Sequence, residues 1–398
     1  MKPFYSWTWQ GVFNLLRIQH LEGWKTVKIA RNRGIAGIAA LTLALGLAAC
    51  SDDNGGDDTT TDTTTTDTGD AEGGDLQGTI NGSGASAQVN AQQAWRDNFT
   101  AQSGAIVNYD STGSGTGRDQ FIAGEVHYTG TDSMLDEEEI NLATERCGSE
   151  PIELPLYISP IAIAFNLDGI DNVNMSADVI AQVFNGDIAE WNDPAIADLN
   201  ADIELPALPI IPVNRADDSG TTENFQQYLA EASDLWTYEP SDTWPVTGTQ
   251  SAEQTAGVVN LVNSTPGAIT YADASQIGDL GTVAVEVAGE FLEYSPEAAA
   301  RIVDNSAPTE HATDRILTVD LQRDGSVEDA YPIVLISYLV ACTEYDDANT
   351  AEIVKEYFTY MASAEGQDAA AAANGGNAPI SDDLRDQAMA AIEQIQTN

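Results

Sequence analysis

The segment Arg215-Ala216-Asp217-Asp218-Ser219-Gly220-Thr221-Thr222 carries one guanidinium and then hydroxyls on both sides of a glycine. A helical spacing of Phe225, Tyr228 and Leu229 follows it. The first turn of a helix offers unpaired backbone N–H groups and a partial positive charge, so it is a ready anion site. An arginine beside it adds a planar, permanently charged donor. Asp217 and Asp218 suit such a site only if one of them pairs with Arg215 and holds its head in place. The competing reading is a capped surface helix with an incidental arginine.

Two further segments have the same character. Asn81-Gly82-Ser83-Gly84-Ala85-Ser86 precedes a helical run through Val89, Ala94, Trp95 and Phe99. Ser111-Thr112-Gly113-Ser114-Gly115-Thr116-Gly117 follows the strand-like Ile106-Val107-Asn108-Tyr109 and precedes Phe121 and Ile122. Both read as loops that join a strand to a helix through glycines and hydroxyls. They place N–H and Oγ donors where open α/β sheets bind ligands.

These segments, in this order, resemble the phosphate-binding subunits of high-affinity phosphate ABC importers, a family of extracytoplasmic type II solute-binding proteins. Gly82-Ser83-Gly84-Ala85-Ser86-Ala87-Gln88 stands where that family has Gly-Ala-Gly-Ala-Thr-Phe-Pro, and Gly113-Ser114-Gly115 matches its second loop. Thr129-Gly130-Thr131-Asp132 matches its Gly-Ala-Ser-Asp, and Arg215 to Thr221 its Arg-Ala-Asp-Gly-Ser-Gly-Thr. Phe184-Asn185-Gly186-Asp187-Ile188, Trp191-Asn192-Asp193-Pro194-Ala195-Ile196 and Thr265-Pro266-Gly267-Ala268-Ile269-Thr270-Tyr271 are also family-like. The chain departs from the pattern at Ala87 and Gln88. There the family's apolar wall is lost, and so is proline's preset φ at the helix start.

The resemblance implies a phosphate site made by Ser86, the N–H of Ala87, Ser114 and Asp132 from one lobe, with Arg215, Ser219, Gly220 and Thr221 from the other. Asp217 would orient Arg215. Asp132 would discriminate, because an acceptor-only carboxylate accepts from a protonated phosphate oxygen and repels fully deprotonated sulfate. From the residues alone, without the resemblance, Asp132 reads rather as an N-cap before Met134-Leu135-Asp136-Glu137. The implied partners are inorganic phosphate and the transmembrane subunits of an ABC permease with its cytoplasmic ATPase. The binding subunit would act as a monomer, without a cofactor and without catalysis.

Other classes fit less of the chain. Gly82-x-Gly84-x-x-Ala87 with Asp110 meets a dinucleotide-binding fingerprint, but leaves two anion loops unexplained. An extracellular phosphatase would need an activated nucleophile or a metal cluster. His20, His127 and His311 show no ligand spacing, and Ser219 lies in Asp-Ser-Gly rather than a nucleophile elbow. The same fold holding sulfate, molybdate or arsenate stays open.

Composition agrees with export. Arg31-Asn32-Arg33 precedes an apolar run over 35–49, too short to span a bilayer but suited to a signal-peptide core. It ends in Leu47-Ala48-Ala49-Cys50, which resembles a bacterial lipobox. Residues 1–49 thus read as a lipoprotein signal peptide and Cys50 as the lipid-bearing residue on the outer face of the cell membrane. Residues 50–75 are mostly Asp, Thr and Gly, so they read as an extended tether. Setting Cys50 aside leaves Cys147 and Cys342, which in an exported protein suggest a disulfide rather than two free thiols.

The net charge of −48 over 398 residues excludes nucleic acid as a partner. It also repels phosphate at long range, so recognition must come from short-range dipoles in a closed cleft. The acidity itself reads as solubility in high salt, where that repulsion is screened.

Strand-like runs alternate with amphipathic helices, which predicts an α/β fold. Predicted helices begin at Ser176 (stopped at Gly186), at Asn349 and at Ser381. The apolar runs 156–167 and 332–341 are predicted hinge strands. The family fold is a two-lobed type II periplasmic-binding-protein fold with the ligand in the cleft. It places lobe I at 76–165 plus 330–398 and lobe II at 166–329.

Overall fold

The computed structural model describes residues 76–373 and 376–398. The signal-peptide, Cys50 and tether readings lie outside the described residues.

Strand and helix alternate from the start: β1 (Thr79–Gly84), α1 (Val89–Ser103), β2 (Ile106–Ser111), α2 (Ser114–Ile122), β3 (Tyr128–Thr131) and α3 (Glu137–Cys147). Next come β4 (Ile152–Phe165), β5 (Asn172–Met175), α4 (Ala177–Asn185), α5 (Pro194–Ala197), β6 (Ile211–Arg215) and α6 (Gly220–Ala232). β7 (Gln250–Ala252), α7 (Gln254–Asn263), β8 (Ala268–Asp273), β9 (Gly281–Val287), β10 (Glu290–Leu292) and α8 (Pro296–Asp304) follow. Short β11 (Ala307–Pro308) and β12 (Val319–Asp320) lead to β13 (Val334–Ala341). Then come β14 (Glu344–Tyr345), α9 (Ala348–Ala362), α10 (Ala364–Ala372), α11 (Asp382–Ile392) and β15 (Gln396–Thr397).

The main sheet has eleven strands in the order β2-β1-β3-β13-β4-β8-β6-β7, with β9 pairing β4, β5 and β10 off that path. β1 is parallel to β2 and β3, as helical crossovers require, whereas β13 runs antiparallel to β3 and β4. β4 and β13 are buried along their whole length, which explains their nearly unbroken apolar sequences. β4 pairs with β13 up to Pro160 and with β8 from Ile161. One continuous strand therefore joins the two halves of the sheet.

Several predicted boundaries shift. Asn81 to Gly84 belong to β1 rather than to a loop. α9 is capped by Asp347, whose carboxylate accepts from Thr350 N at 2.8 Å, and not by Asn349. Ser176 and Ser381 cap α4 and α11, and Gly186 ends α4 at φ 84°. Cys147, the last residue of α3, is bonded to Cys342 just past β13, with their Cα atoms 5.3 Å apart.

Candidate functional site: a buried anion cluster

β6 delivers Arg215 at its carboxyl end, and α6 starts five residues later behind its N-cap Ser219, whose Oγ accepts from Thr222 N at 3.2 Å. Packing fixes this helix start. Phe225 stacks on Tyr271 of β8 with centroids 4.6 Å apart. The Tyr271 hydroxyl lies 2.7 Å from Thr222 Oγ1 and accepts from Arg215 N at 3.3 Å. Burial pushes that hydroxyl up to about 12, so it stays protonated at neutral pH. Gly220 is needed for close approach: a Cβ there would stand 2.7 Å from both Ser133 N and Ser133 Oγ.

Asp132, just past β3, faces the start of α6 and is 3% exposed. Its Oδ1 accepts from Ser337 Oγ at 2.7 Å and its Oδ2 from Thr221 Oγ1 at 3.0 Å. Its carbonyl accepts from Asn224 Nδ2 at 2.7 Å, and that amide also donates to Gly220 O at 2.8 Å. Burial pushes the Asp132 carboxyl above the usual range, against the hydrogen bonds of Ser337 and Thr221 and the charges of Arg215 and Arg118. Asp132 is not a helix cap. The capping box before α3 is formed by Asp136 and Glu139.

Arg215 is 4% exposed, and Asp217 grips it through Nε at 2.8 Å and through Nη2. Burial raises the Asp217 carboxyl, but the hydrogen bond and charge of Arg215 outweigh it and hold the group below its ordinary range. Two of the five guanidinium N–H groups are thus spent on orientation, and three remain for other acceptors.

Ser114 opens α2, and its Oγ accepts from Asp132 N at 3.1 Å, which ties the second loop to the Asp132 turn. Ser86 Oγ lies 3.0 Å from Thr255 Oγ1 and accepts from Thr255 N at 3.1 Å. Gln276 Nε2 donates to the carbonyls of Ser86 and Ala87 at 2.9 and 2.8 Å. Ser86, Ala87, Ser114, Asp132, Arg215, Ser219 and Thr221 are all buried. Direct contacts link Ser114, Asp132 and Thr221 into one cluster, and Arg215 to Asp217. Ser86 and Ala87 are held from α7 and from Gln276.

The sequence reading missed Ser337, Thr255, Asn224, Tyr271 and Arg118. Ser337 had a visible signal, as the one serine within the largely apolar Val334–Ala341. Arg118 is 8% exposed and binds Glu139, Asp242 and Thr131 Oγ1, so its charge is already neutralised. The dinucleotide fingerprint fails on geometry. Gly82 lies inside β1, where a Cβ would stand 2.3 Å from the Tyr128 ring.

Residues 59–365 match the family described as the PBP superfamily domain. The chain is 33% identical over 325 residues to "Phosphate-binding protein PstS 3" of Mycobacterium leprae, covering 80% of this chain and 87% of that protein. It is 30% identical over 323 residues to the protein of the same name from Mycobacterium tuberculosis, covering 80% and 86%. Among solved structures, the phosphate-bound PfluDING protein superposes with a TM-score of 0.63 at 22% identity, covering 77% of this chain and 92% of that one. A phosphate-binding protein from Stenotrophomonas maltophilia gives 0.63 at 20% identity, covering 78% and 93%. With the fold and the sequence relatives in agreement, the chain belongs to the PstS phosphate-binding proteins of the PBP superfamily.

Proposed function

We propose that this protein captures inorganic phosphate outside the cytoplasm and passes it, unchanged, to an ABC permease for import. One observation carries the reading: a buried arginine and a helix N-terminus stand together with a buried carboxylate whose two oxygens are both held by hydroxyl donors. The cationic donors stabilise the anion, and the carboxylate demands a proton from it. Phosphate keeps a proton at neutral pH and sulfate does not. The names of the curated relatives support the same ligand.

In this reading Ser86, Ala87, Ser114 and Asp132 close on the ligand from 76–165 plus 330–398. Arg215, Ser219, Gly220 and Thr221 close from 166–329. β4 and β13 act as the hinge. Cys50 carries the lipid that keeps a monomeric protein at the outer face of the cell membrane, beside the permease. Arg215→Ala tests the site. It removes a charge-assisted donor from a buried place, so phosphate affinity should fall by about 2–5 kcal/mol. Calorimetry giving an affinity within about twofold of wild type, under about 0.5 kcal/mol, would remove Arg215 from the site.

A further inference from the structure

Gln88 stands where the family has proline, and its side chain is fully buried. Its Nε2 donates to Ser337 Oγ at 2.7 Å, and its Oε1 accepts from Gln92 Nε2 at 2.7 Å. Gln92 Oε1 in turn accepts from Tyr357 Oη at 2.9 Å and from Tyr128 Oη at 3.3 Å. Ser337 Oγ donates to Asp132 Oδ1 at 2.7 Å. Gln88, Gln92, Ser337 and Tyr357 are each 0% exposed, so the row is sealed from water.

The row has one direction. The Gln92 amide presents its oxygen to the two tyrosine hydroxyls, which donate to it. The Gln92 amide N–H then faces Gln88 Oε1, and the Gln88 N–H faces Ser337 Oγ. Ser337 has a single proton. With Gln88 donating to its oxygen, that proton points at Asp132.

The space for this amide is made by Gly130, two residues before Asp132. A Cβ there would stand 2.3 Å from Gln88 Nε2 and 2.7 Å from its Cδ. Burying three neutral polar side chains is costly unless every bond is made, and an apolar filling would serve packing alone.

We infer that Gln88 is a positioning residue for anion selectivity: through Ser337 it commits a hydroxyl proton to Asp132 Oδ1 and keeps that carboxylate an acceptor toward the ligand. The inference rests on the phosphate reading above. Without the Gln88 amide, the Ser337 proton is free to turn away. Asp132 then loses a fixed donor and takes up a proton more readily. A protonated Asp132 donates to any oxyanion and no longer rejects sulfate.

The test is titration of phosphate and of sulfate against folded wild type, Gln88→Met, Gln92→Met and Asp132→Asn at one pH. Methionine matches glutamine in length and offers no amide. Gln88→Met should lower the phosphate-over-sulfate ratio by about tenfold, the worth of one hydrogen bond to a charged group. Gln92→Met, one step further back, should move the ratio the same way by less. If Asp132→Asn relaxes the ratio while both glutamine variants keep the wild-type ratio and merely melt lower, Gln88 is structural and the inference fails alone. A wild type that does not bind phosphate overturns it together with the phosphate reading.

Discussion

Asp132 and Glu153 are both fully buried carboxyls, but their surroundings give them opposite tasks. Asp132 accepts from two hydroxyls and feels two arginines, whereas Glu153 accepts only from Leu135 N at 2.9 Å and leaves Oε2 without a partner among the described residues. Burial pushes Glu153 up to about 8, so it is protonated at neutral pH. In the unfolded chain a glutamic acid ionises near pH 4.3. Between roughly pH 4.3 and 8 the folded state therefore holds one more proton, and stability falls as pH rises through that window. Glu153→Gln keeps the acceptor for Leu135 and has no proton to lose. It should flatten the pH dependence and, at pH 8, be more stable than wild type by on the order of a few kcal/mol. Urea unfolding at pH 5 and pH 8 measures this, and an unchanged difference between the two pH values contradicts it. Arg215, Asp217, Ser219 and Thr221 were legible in sequence because they are contiguous and of distinctive type. The roles of Gln88 and Ser337 were not, because they come from strands and helices that meet only in the fold, although Ser337 stands out as a serine in an apolar run.

At the scale of elements, the start of α6 is the part on which the site depends most. Tyr271 and Trp244 stack on its Phe225, and the Asp132-Ser133 turn packs against Gly220 and Asn224. Gly220→Ala would put a Cβ 2.7 Å from Ser133 N and 2.8 Å from Asp132 Cβ, so backbone must move. The variant should lose about 1–3 kcal/mol of stability from overpacking. It should also lose much of the rise in melting temperature that phosphate gives wild type. Melting curves with and without phosphate read both effects, and a full phosphate-induced rise would contradict the close-approach argument. The alternation of strand and helix was readable from apolar spacing, as were the caps at Ser176 and Ser381. The extent of β1 was not, because glycines at 82 and 84 mimic a loop while in fact admitting the Tyr128 ring and the Gly130 carbonyl. β4 begins before its apolar run because Glu153 and Pro155 interrupt the pattern while being buried on a covered sheet.

At the scale of the whole molecule, two strands and one disulfide tie distant sequence together. The Cys147–Cys342 bridge spans 195 residues and fastens the end of α3 to the segment after β13. Reducing it, or replacing both cysteines with serine, should cost about 2–5 kcal/mol in urea unfolding. Equal stability with and without reductant would show that the bridge constrains little. The two-halved sheet was legible from element order and family resemblance. The point at which β4 changes partner was not, because both halves of that strand are buried alike.

On the proposed reading, this acidic protein binds phosphate by short-range contacts and rejects sulfate through Asp132. Isothermal titration of the purified protein with each anion, for wild type and Asp132→Asn, tests it most directly. Wild type should bind one phosphate and take up sulfate far more weakly, and Asp132→Asn should narrow that gap. A phosphate-to-sulfate ratio unchanged by Asp132→Asn, or a wild type that binds both anions alike, would contradict it.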